Sequence, residues 1–194
     1  VLDLASPADA EIELIKSRMV LNYVVDAEHL SYKVTPLGVR DRLIHREGRI
    51  DVDSLYVPKQ FFGTPFKVIV VNENEYSVKD MENHILLTGK VGDLVSSPLG
   101  GDSIRIRVAF MNSSIGQEFS LKRITTLNAV RMLAKGLHVK EKGEQTGIIS
   151  IKYSHRYPDR AASILNTIAK TYLRQNVEMR SAEAEKTLEF LEGQ

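Results

Sequence analysis

The first apolar pattern in the chain has the period of a helix. Ser6 can cap it, Pro7 suits its first turn, and Asp9 can complete a capping box. Apolar side chains then follow at helical spacing, at Ile12, Ile15, Met19 and Tyr23. The pattern therefore predicts one amphipathic helix that runs from Ser6 to about Val25.

A second, shorter helix is predicted about ten residues further along, from Thr35. Thr35 and Pro36 form a helix start signal, because threonine caps helices and proline fits their first turn. Leu37, Leu43 and Ile44 would then supply its apolar side chains.

From about residue 49 the apolar pattern changes from helical to alternating. Runs of β-forming residues occupy 49–57, 66–72, 76–78, 84–91, 103–110 and 118–124, with turn-forming residues at 63–65, 72–74 and 97–101. In the clearest run, Ile104, Ile106 and Val108 alternate with Arg105 and Arg107. One apolar and one charged face are typical of an antiparallel strand with one side in water.

Helical and strand patterns return in the last third of the chain. A helix is predicted from Thr125 or Thr126 to Gly136, followed by strands at 137–142 and 146–154 and a helix from Pro158. Helices that flank a block of short strands predict an α+β fold with an antiparallel or mixed sheet. We expect the first helix, the helix near 125–135 and the first half of the last helix to pack on that sheet.

The last helix has two dissimilar halves. Its first half carries an apolar stripe that should pack on the sheet, formed by Ala161, Leu165, Ile168 and Tyr172. Beyond Leu173 charged residues dominate, and a helix over 158–194 would be about 55 Å long. We therefore expect the second half to project and to contact a neighbouring subunit or a continuation of the chain, through Arg180, Glu183, Leu188, Phe190 and Leu191.

Composition limits the classes of protein to which the chain can belong. With 194 residues and 43% hydrophobic composition, it can form one domain, spanning 1–194, with a helical extension. A formal net charge of +1 gives no electrostatic basis for binding nucleic acid.

The absence of cysteine excludes disulfides and thiolate metal sites. The sequence also has no run of about 18 apolar residues, the length that a membrane-spanning helix needs. Because the sequence starts at Val1, we expect it to be part of a longer protein.

The sequence contains no recognisable catalytic, cofactor or metal motif. The five histidines show no HExxH pattern, and the residues at 97–103 lack the Gly-Lys-Ser/Thr ending of a phosphate loop. Asp51 and Asp53 resemble the start of a calcium loop, but Tyr56 stands where that loop needs glycine. No catalytic residue, cofactor or metal ion is therefore predicted.

Several stretches in the same order resemble one protein family. They are residues 11–21 (EIELIKSRMVL), 57–70 (VPKQFFGTPFKVIV), 116–121 (GQEFSL), 142–153 (KGEQTGIISIKY) and 164–191, with RSAEAEKTLEFL at 180–191 as the most specific. The chain resembles the periplasmic Wzz-type domain of bacterial tyrosine autokinases, the Wzc/Etk-like polysaccharide copolymerases. One departure is Ser114-Ile115-Gly116, where relatives often carry Arg-Pro-Gly.

The resemblance implies a role in the bacterial inner membrane, with this segment in the periplasm. It implies membrane spans and a kinase domain outside the chain, a homo-oligomer, and control of polymerisation, chain length and export of capsular or exopolysaccharide. An outer-membrane export protein, a polymerase and the polysaccharide itself are the implied partners. Two alternatives stay open at this point: an O-antigen chain-length regulator of the Wzz type without a kinase domain, and a periplasmic glycan-active hydrolase.

Overall fold

The computed structural model describes residues 7–38, 48–143 and 145–192, and these residues form an α+β fold. The helices are α1 (Pro7–Ile15), α2 (Arg18–Ala27), α3 (Thr126–Gly136) and α4 (Pro158–Glu192). The strands are β1 (Tyr32–Leu37), β2 (Arg49–Tyr56), β3 (Pro65–Val70), β4 (Glu75–Lys79), β5 (Ile85–Lys90), β6 (Leu94–Leu99), β7 (Asp102–Asn112), β8 (Glu118–Arg123), β9 (Leu137–Glu141) and β10 (Ile149–Tyr153). The predicted fold class is confirmed, and every strand pair among the described residues is antiparallel.

The chain divides into two compact units. Residues 1–28 and 126–194, here called the helical unit, contain all four helices and the β9–β10 pair. Residues 29–125, here called the β unit, contain the other eight described strands. The expectation that the whole chain behaves as one domain stays a prediction.

The β unit is built from two antiparallel sheets around a shared core. One sheet has the order β1-β8-β3-β4-β5 and the other has the order β2-β7-β6. Along β3, β7 and β8 alternate side chains turn inward, as the period of two requires. The largest of those that are fully buried are Tyr76, Phe119, Ile104, Ile106 and Leu121. The predicted division of β7 into an apolar and a charged face is confirmed.

The N-terminal segment forms two helices where one was predicted. Ser17 has extended backbone angles and caps α2, and its hydroxyl accepts a hydrogen bond from the backbone N–H of Val20 at 3.3 Å. This break rotates the second helix relative to the predicted stripe. Met19 and Tyr23, which were expected inside, are exposed, and the buried residues of α2 are Val20, Leu21, Val24 and Val25.

The predicted helix at Thr35 and Pro36 is wrong, because these residues lie in strand β1. β1 is an edge strand that pairs only with β8 among the described strands. An edge strand tolerates proline, since one side of it has no partner to which a backbone N–H could donate. Leu43 and Ile44 of the same prediction lie outside the described residues.

A strand that the sequence pattern did not predict, β6, contains the first three residues of the turn expected at 97–101. Pro98 lies within β6, which is again an edge strand. The chain reverses at Gly100 and Gly101, whose φ angles are +56° and +84°, and Leu99 pairs with Asp102 across the turn. Two consecutive positive φ values are typical of a type I′ hairpin turn, which glycine adopts without strain. The turn is therefore two residues long.

The first half of α4 packs chiefly on α2, with further contacts to α1 and β10. Ile164, Ile168 and Thr171 are buried, whereas Leu165 and Tyr172 are only half-buried. The predicted packing on a sheet is thus limited to β10, and the buried face is rotated from the predicted stripe. None of the described helices combines the length and apolar character needed to cross a lipid bilayer.

Tyr76 in the core of the β unit should make stability sensitive to alkaline pH. Burial raises the pKa of Tyr76 to about 12, above its ordinary value of 10.0. The folded chain therefore holds this proton more tightly than the unfolded chain, and the stability that is complete below pH 10 is lost as pH rises towards 12. We expect about 1.4 kcal/mol to be lost by about pH 11.

Denaturant melts at about pH 9 and about pH 11 would test this expectation. The variant Tyr76→Phe should lose less stability between the two pH values than the natural chain. Tyr32→Phe, which removes a half-buried phenol from the same unit, is the control. Equal alkaline losses in the natural chain and in Tyr76→Phe would contradict the prediction.

Candidate functional site

A buried carboxylate joins the start of α4 to the end of α2. Glu28 follows the last residue of α2 and is only 7% exposed. It accepts hydrogen bonds from the hydroxyls of Thr167 at 2.6 Å and Ser163 at 2.9 Å. Arg160 lies 3.4 Å from the same carboxylate and donates at 2.7 Å to the Glu28 carbonyl oxygen. The spacing 160, 163, 167 places all three partners on one face of α4.

A second polar cluster joins the middle of α4 to α1. Glu11 accepts hydrogen bonds from the Tyr172 hydroxyl at 2.6 Å and from Asn176 Nδ2 at 3.1 Å. Burial, and then the hydrogen bond to Glu11, raise the pKa of Tyr172, so its hydroxyl stays a donor. Arg180 extends the cluster, with its guanidinium 3.8 Å from Glu11 and 2.8 Å from Asn176 Oδ1. The proximal part of α4 is thus held on its own unit by two carboxylates.

Beyond Arg180, no side chain of α4 forms a hydrogen bond or ion pair with another element in the part of the chain that the structure describes. Every side chain described from Val177 to Leu191 is exposed, including Leu188 at 58%, Phe190 at 67% and Leu191 at 62%. Large apolar side chains at this exposure on consecutive turns are unusual for a helix that packs only within its own unit.

Part of this apolar surface lies along one side of the helix, interrupted by Arg180 between Val177 and Ala184. At about 100° per residue, five exposed residues fall within about 60° of one another around the helix axis. We call them the distal stripe: Leu173, Val177, Ala184, Leu188 and Leu191. The buried residues Ile164, Ile168 and Thr171 lie about 130–170° from its centre. The distal stripe therefore faces away from the side on which α4 packs within the helical unit.

The structure separates the five residues that were predicted to contact a partner. Leu188 and Leu191 belong to the distal stripe. Phe190 and Glu183 lie about 110–130° from its centre, closer to the continuation of the packed face. Arg180 is engaged with Glu11 and Asn176 of its own chain, although its side chain is 74% exposed. Sequence spacing alone would have revealed Val177 and Ala184, which the prediction missed.

Asp80, Glu82 and His84 form a small cluster between β4 and β5. Their potential ligand atoms lie within 4.8 Å of one another, close enough to hold a metal ion. Asp80 already accepts hydrogen bonds from the backbone N–H groups of Glu82 and His84, both at 2.9 Å. Desolvation opposes ionisation of Asp80, but the hydrogen bonds from His84 and Glu82 outweigh it and lower the pKa. These hydrogen bonds close the turn between β4 and β5, which accounts for the cluster without a metal ion. A sequence pattern of spaced histidines does not reveal this cluster, because it has only one histidine.

Comparisons with known proteins identify the family. A family model described as the N-terminal domain of tyrosine-protein kinase Wzc matches residues 23–124, more than half of the chain. The chain is 31% identical to EpsB of Ralstonia solanacearum over all of its length, and 32% identical to the tyrosine-protein kinase wzc of Salmonella typhimurium over 96% of it. It is 25% identical to the tyrosine-protein kinase etk of Escherichia coli over 98% of its length.

The chain spans only about a quarter of these relatives, from 26% of wzc to 28% of EpsB. The agreement therefore concerns one part of longer proteins, and the strand block of the β unit lies inside the matched region. The predicted resemblance is confirmed: this chain belongs to the family of N-terminal domains of the tyrosine-protein kinase Wzc.

Proposed function

We propose that this chain is the non-catalytic periplasmic part of an inner-membrane tyrosine autokinase that works as a homo-oligomer. In this role it regulates polymerisation, chain length and export of capsular or exopolysaccharide, together with a polymerase and an outer-membrane export protein. Membrane spans and the kinase domain lie in other parts of the protein. The chain acts as a single assembly domain whose long last helix meets a neighbour.

The family supports the kinase-linked form of this proposal. The relatives wzc and etk are named tyrosine-protein kinases, and the chain aligns with about a quarter of each. The sequence itself has no phosphate-binding loop, so phosphotransfer belongs to another part of such a protein. A chain-length regulator without a kinase domain is the alternative, and the coding sequence downstream of residue 194 distinguishes the two.

The observation that carries the assembly role is the distal stripe. Leu173, Val177, Leu188 and Leu191 are each about 60% exposed on a helix face that its own unit leaves uncovered. Apolar side chains arranged at helical spacing are the usual contact surface between two helices. We assign this surface to a neighbouring subunit, and the continuation of the same chain is the competing occupant.

A charged substitution in the distal stripe should weaken assembly of the full-length protein. Leu188→Asp places a carboxylate where an apolar contact is expected, which costs roughly 2 kcal/mol or more at each interface. We expect smaller oligomers by native mass spectrometry of the detergent-solubilised protein and an altered polymer length on gels. The isolated chain should remain folded and mainly monomeric in sedimentation.

Lys186→Asp is the control, because Lys186 is also exposed but lies on the opposite side of α4 from Leu188. Phe190→Asp provides a comparison, because Phe190 lies between the distal stripe and the opposite side of the helix. It should reduce oligomer size less than Leu188→Asp does. Unchanged oligomers in Leu188→Asp, or equal effects from Lys186→Asp, would refute the assignment. If Leu188→Asp unfolds the full-length monomer, the stripe is covered by its own chain.

A further inference from the structure

One face of the five-stranded sheet carries a row of lysines. Lys33 on β1, Lys122 on β8, Lys67 on β3 and Lys79 on β4 all alternate with core residues of their strands, so they share the face turned away from the core. We call these four residues the lysine face. Neighbouring strands lie about 4.8 Å apart, so the four lysines are attached within one small area of the sheet.

The strand register places like charges directly opposite one another. Lys33 pairs with Lys122 across β1 and β8, and Lys67 pairs with Lys79 across β3 and β4. Like charges at directly opposite positions destabilise a sheet. Two such pairs in a chain with a net charge of only +1 are a local concentration of positive charge that the fold itself does not require.

Few acidic groups neutralise this face. Lys67 lies 3.5 Å from Glu118 and donates to Asn83 Oδ1 at 2.7 Å. In the part of the chain that the structure describes, Lys33, Lys79 and Lys122 form no ion pair. Three of the four lysines thus have no acidic partner among the described residues, and Lys33 is also exposed.

The same face contains a shallow groove of about 240 Å³ beside one of the lysine pairs. Lys33 and Lys122 line it together with Thr35, Ser120 and Leu37. The two hydroxyls can donate or accept hydrogen bonds, and the ammonium groups can only donate. Ammonium groups beside hydroxyls match a ligand that carries both carboxylates and hydroxyls.

We propose that the lysine face binds an acidic polysaccharide through its carboxylates, with Thr35 and Ser120 contacting its hydroxyls. This inference rests on the proposed role in polysaccharide export and names the chemical class of glycan. Each exposed ion pair contributes little by itself. A polymer with repeated carboxylates can engage several lysines at once, and its effective local concentration multiplies these weak contacts. The binding should weaken as salt screens the charges.

Polygalacturonate, an acidic polysaccharide, and dextran, a neutral one, are suitable probes for the 194-residue chain in calorimetry or light scattering at low salt. We expect polygalacturonate to bind and dextran not to bind. Lys33→Glu should weaken polygalacturonate binding at least about tenfold, because it replaces an attraction by a repulsion. The same substitution should not impair folding, since it places opposite charges across from one another at Lys122.

Lys140→Glu on β9 is the matched control, because it changes the net charge equally at an exposed strand position in the helical unit. It should bind polygalacturonate like the natural chain. Absence of binding, or equal losses in both variants, would overturn the proposal. Vesicles that contain phosphatidylglycerol are a further arm, and binding to them alone, lost in Lys33→Glu, would reassign the face to lipid. None of these outcomes bears on the distal stripe, which is tested separately.

Discussion

Ile168→Ala is expected to lower the free energy of unfolding of the helical unit by about 2–5 kcal/mol. Ile168 is fully buried where α4 packs on α2, so the truncation removes apolar contacts and leaves a cavity. Denaturant melts of the chain, followed by circular dichroism, would measure the loss. An effect below about 1 kcal/mol would show that this packing contributes little to stability.

Leu188→Ala is the comparison variant for Ile168→Ala, since it shortens an apolar side chain of similar size on the same helix. Leu188 is 58% exposed, and its truncation should change stability of the isolated chain by less than about 0.5 kcal/mol. Equal losses in the two variants would mean that the distal part of α4 packs on its own unit. The distal stripe would then not be available to a neighbour.

Glu28→Ala is expected to destabilise the helical unit by about 2–3 kcal/mol. The substitution leaves the hydroxyls of Ser163 and Thr167 without their acceptor and removes the carboxylate that faces Arg160. Arg160 is partly exposed and can turn to water, which limits its share of the loss. Glu28→Gln, which keeps one acceptor oxygen in place, should lose less than Glu28→Ala.

Glu13→Ala is the control for the Glu28 variants. It removes a glutamate that is exposed on α1, in the same unit, and should change stability by less than about 0.5 kcal/mol. If Glu28→Ala behaves like Glu13→Ala in denaturant melts, the buried cluster does not hold α4 on α2. A loss in Glu28→Gln as large as that in Glu28→Ala would assign the stabilisation to the negative charge.

Local patterns were sufficient where one face of an element meets a core and the other meets water. The alternation of Ile104, Ile106 and Val108 with two arginines predicted β7 correctly, and helical spacing predicted α3 and α4. Such patterns depend only on the periods of the strand and the helix, so the sequence alone determines them. The α+β class followed from the same local information, whereas the family was inferred from the resemblance of particular stretches such as 11–21 and 180–191.

Local patterns failed where a partner distant in the sequence decides the structure. Thr35-Pro36 has the composition of a helix start. In the folded chain these residues instead lie in β1, which pairs with β8 at the edge of a sheet, where the missing N–H of proline is tolerated. The sequence around Ser17 is compatible with a helix interior and with a helix cap. In the folded chain Ser17 caps α2, and the packing of α2 favours this arrangement. In both cases the local preferences differ by less than the energy of tertiary contacts.

The candidate sites divide in the same way. The sequence by itself determined that the end of α4 is apolar at intervals and lacks a core-facing pattern, and this was enough to propose Leu188 and Leu191 as contacts. Only the tertiary structure decided which side of α4 is covered, because buried polar partners such as Ser163 and Thr167 carry no hydrophobic signal. The lysine face, too, exists only in the folded chain: Lys33 and Lys122 are 89 positions apart, and the register of β1 and β8 places them directly opposite one another.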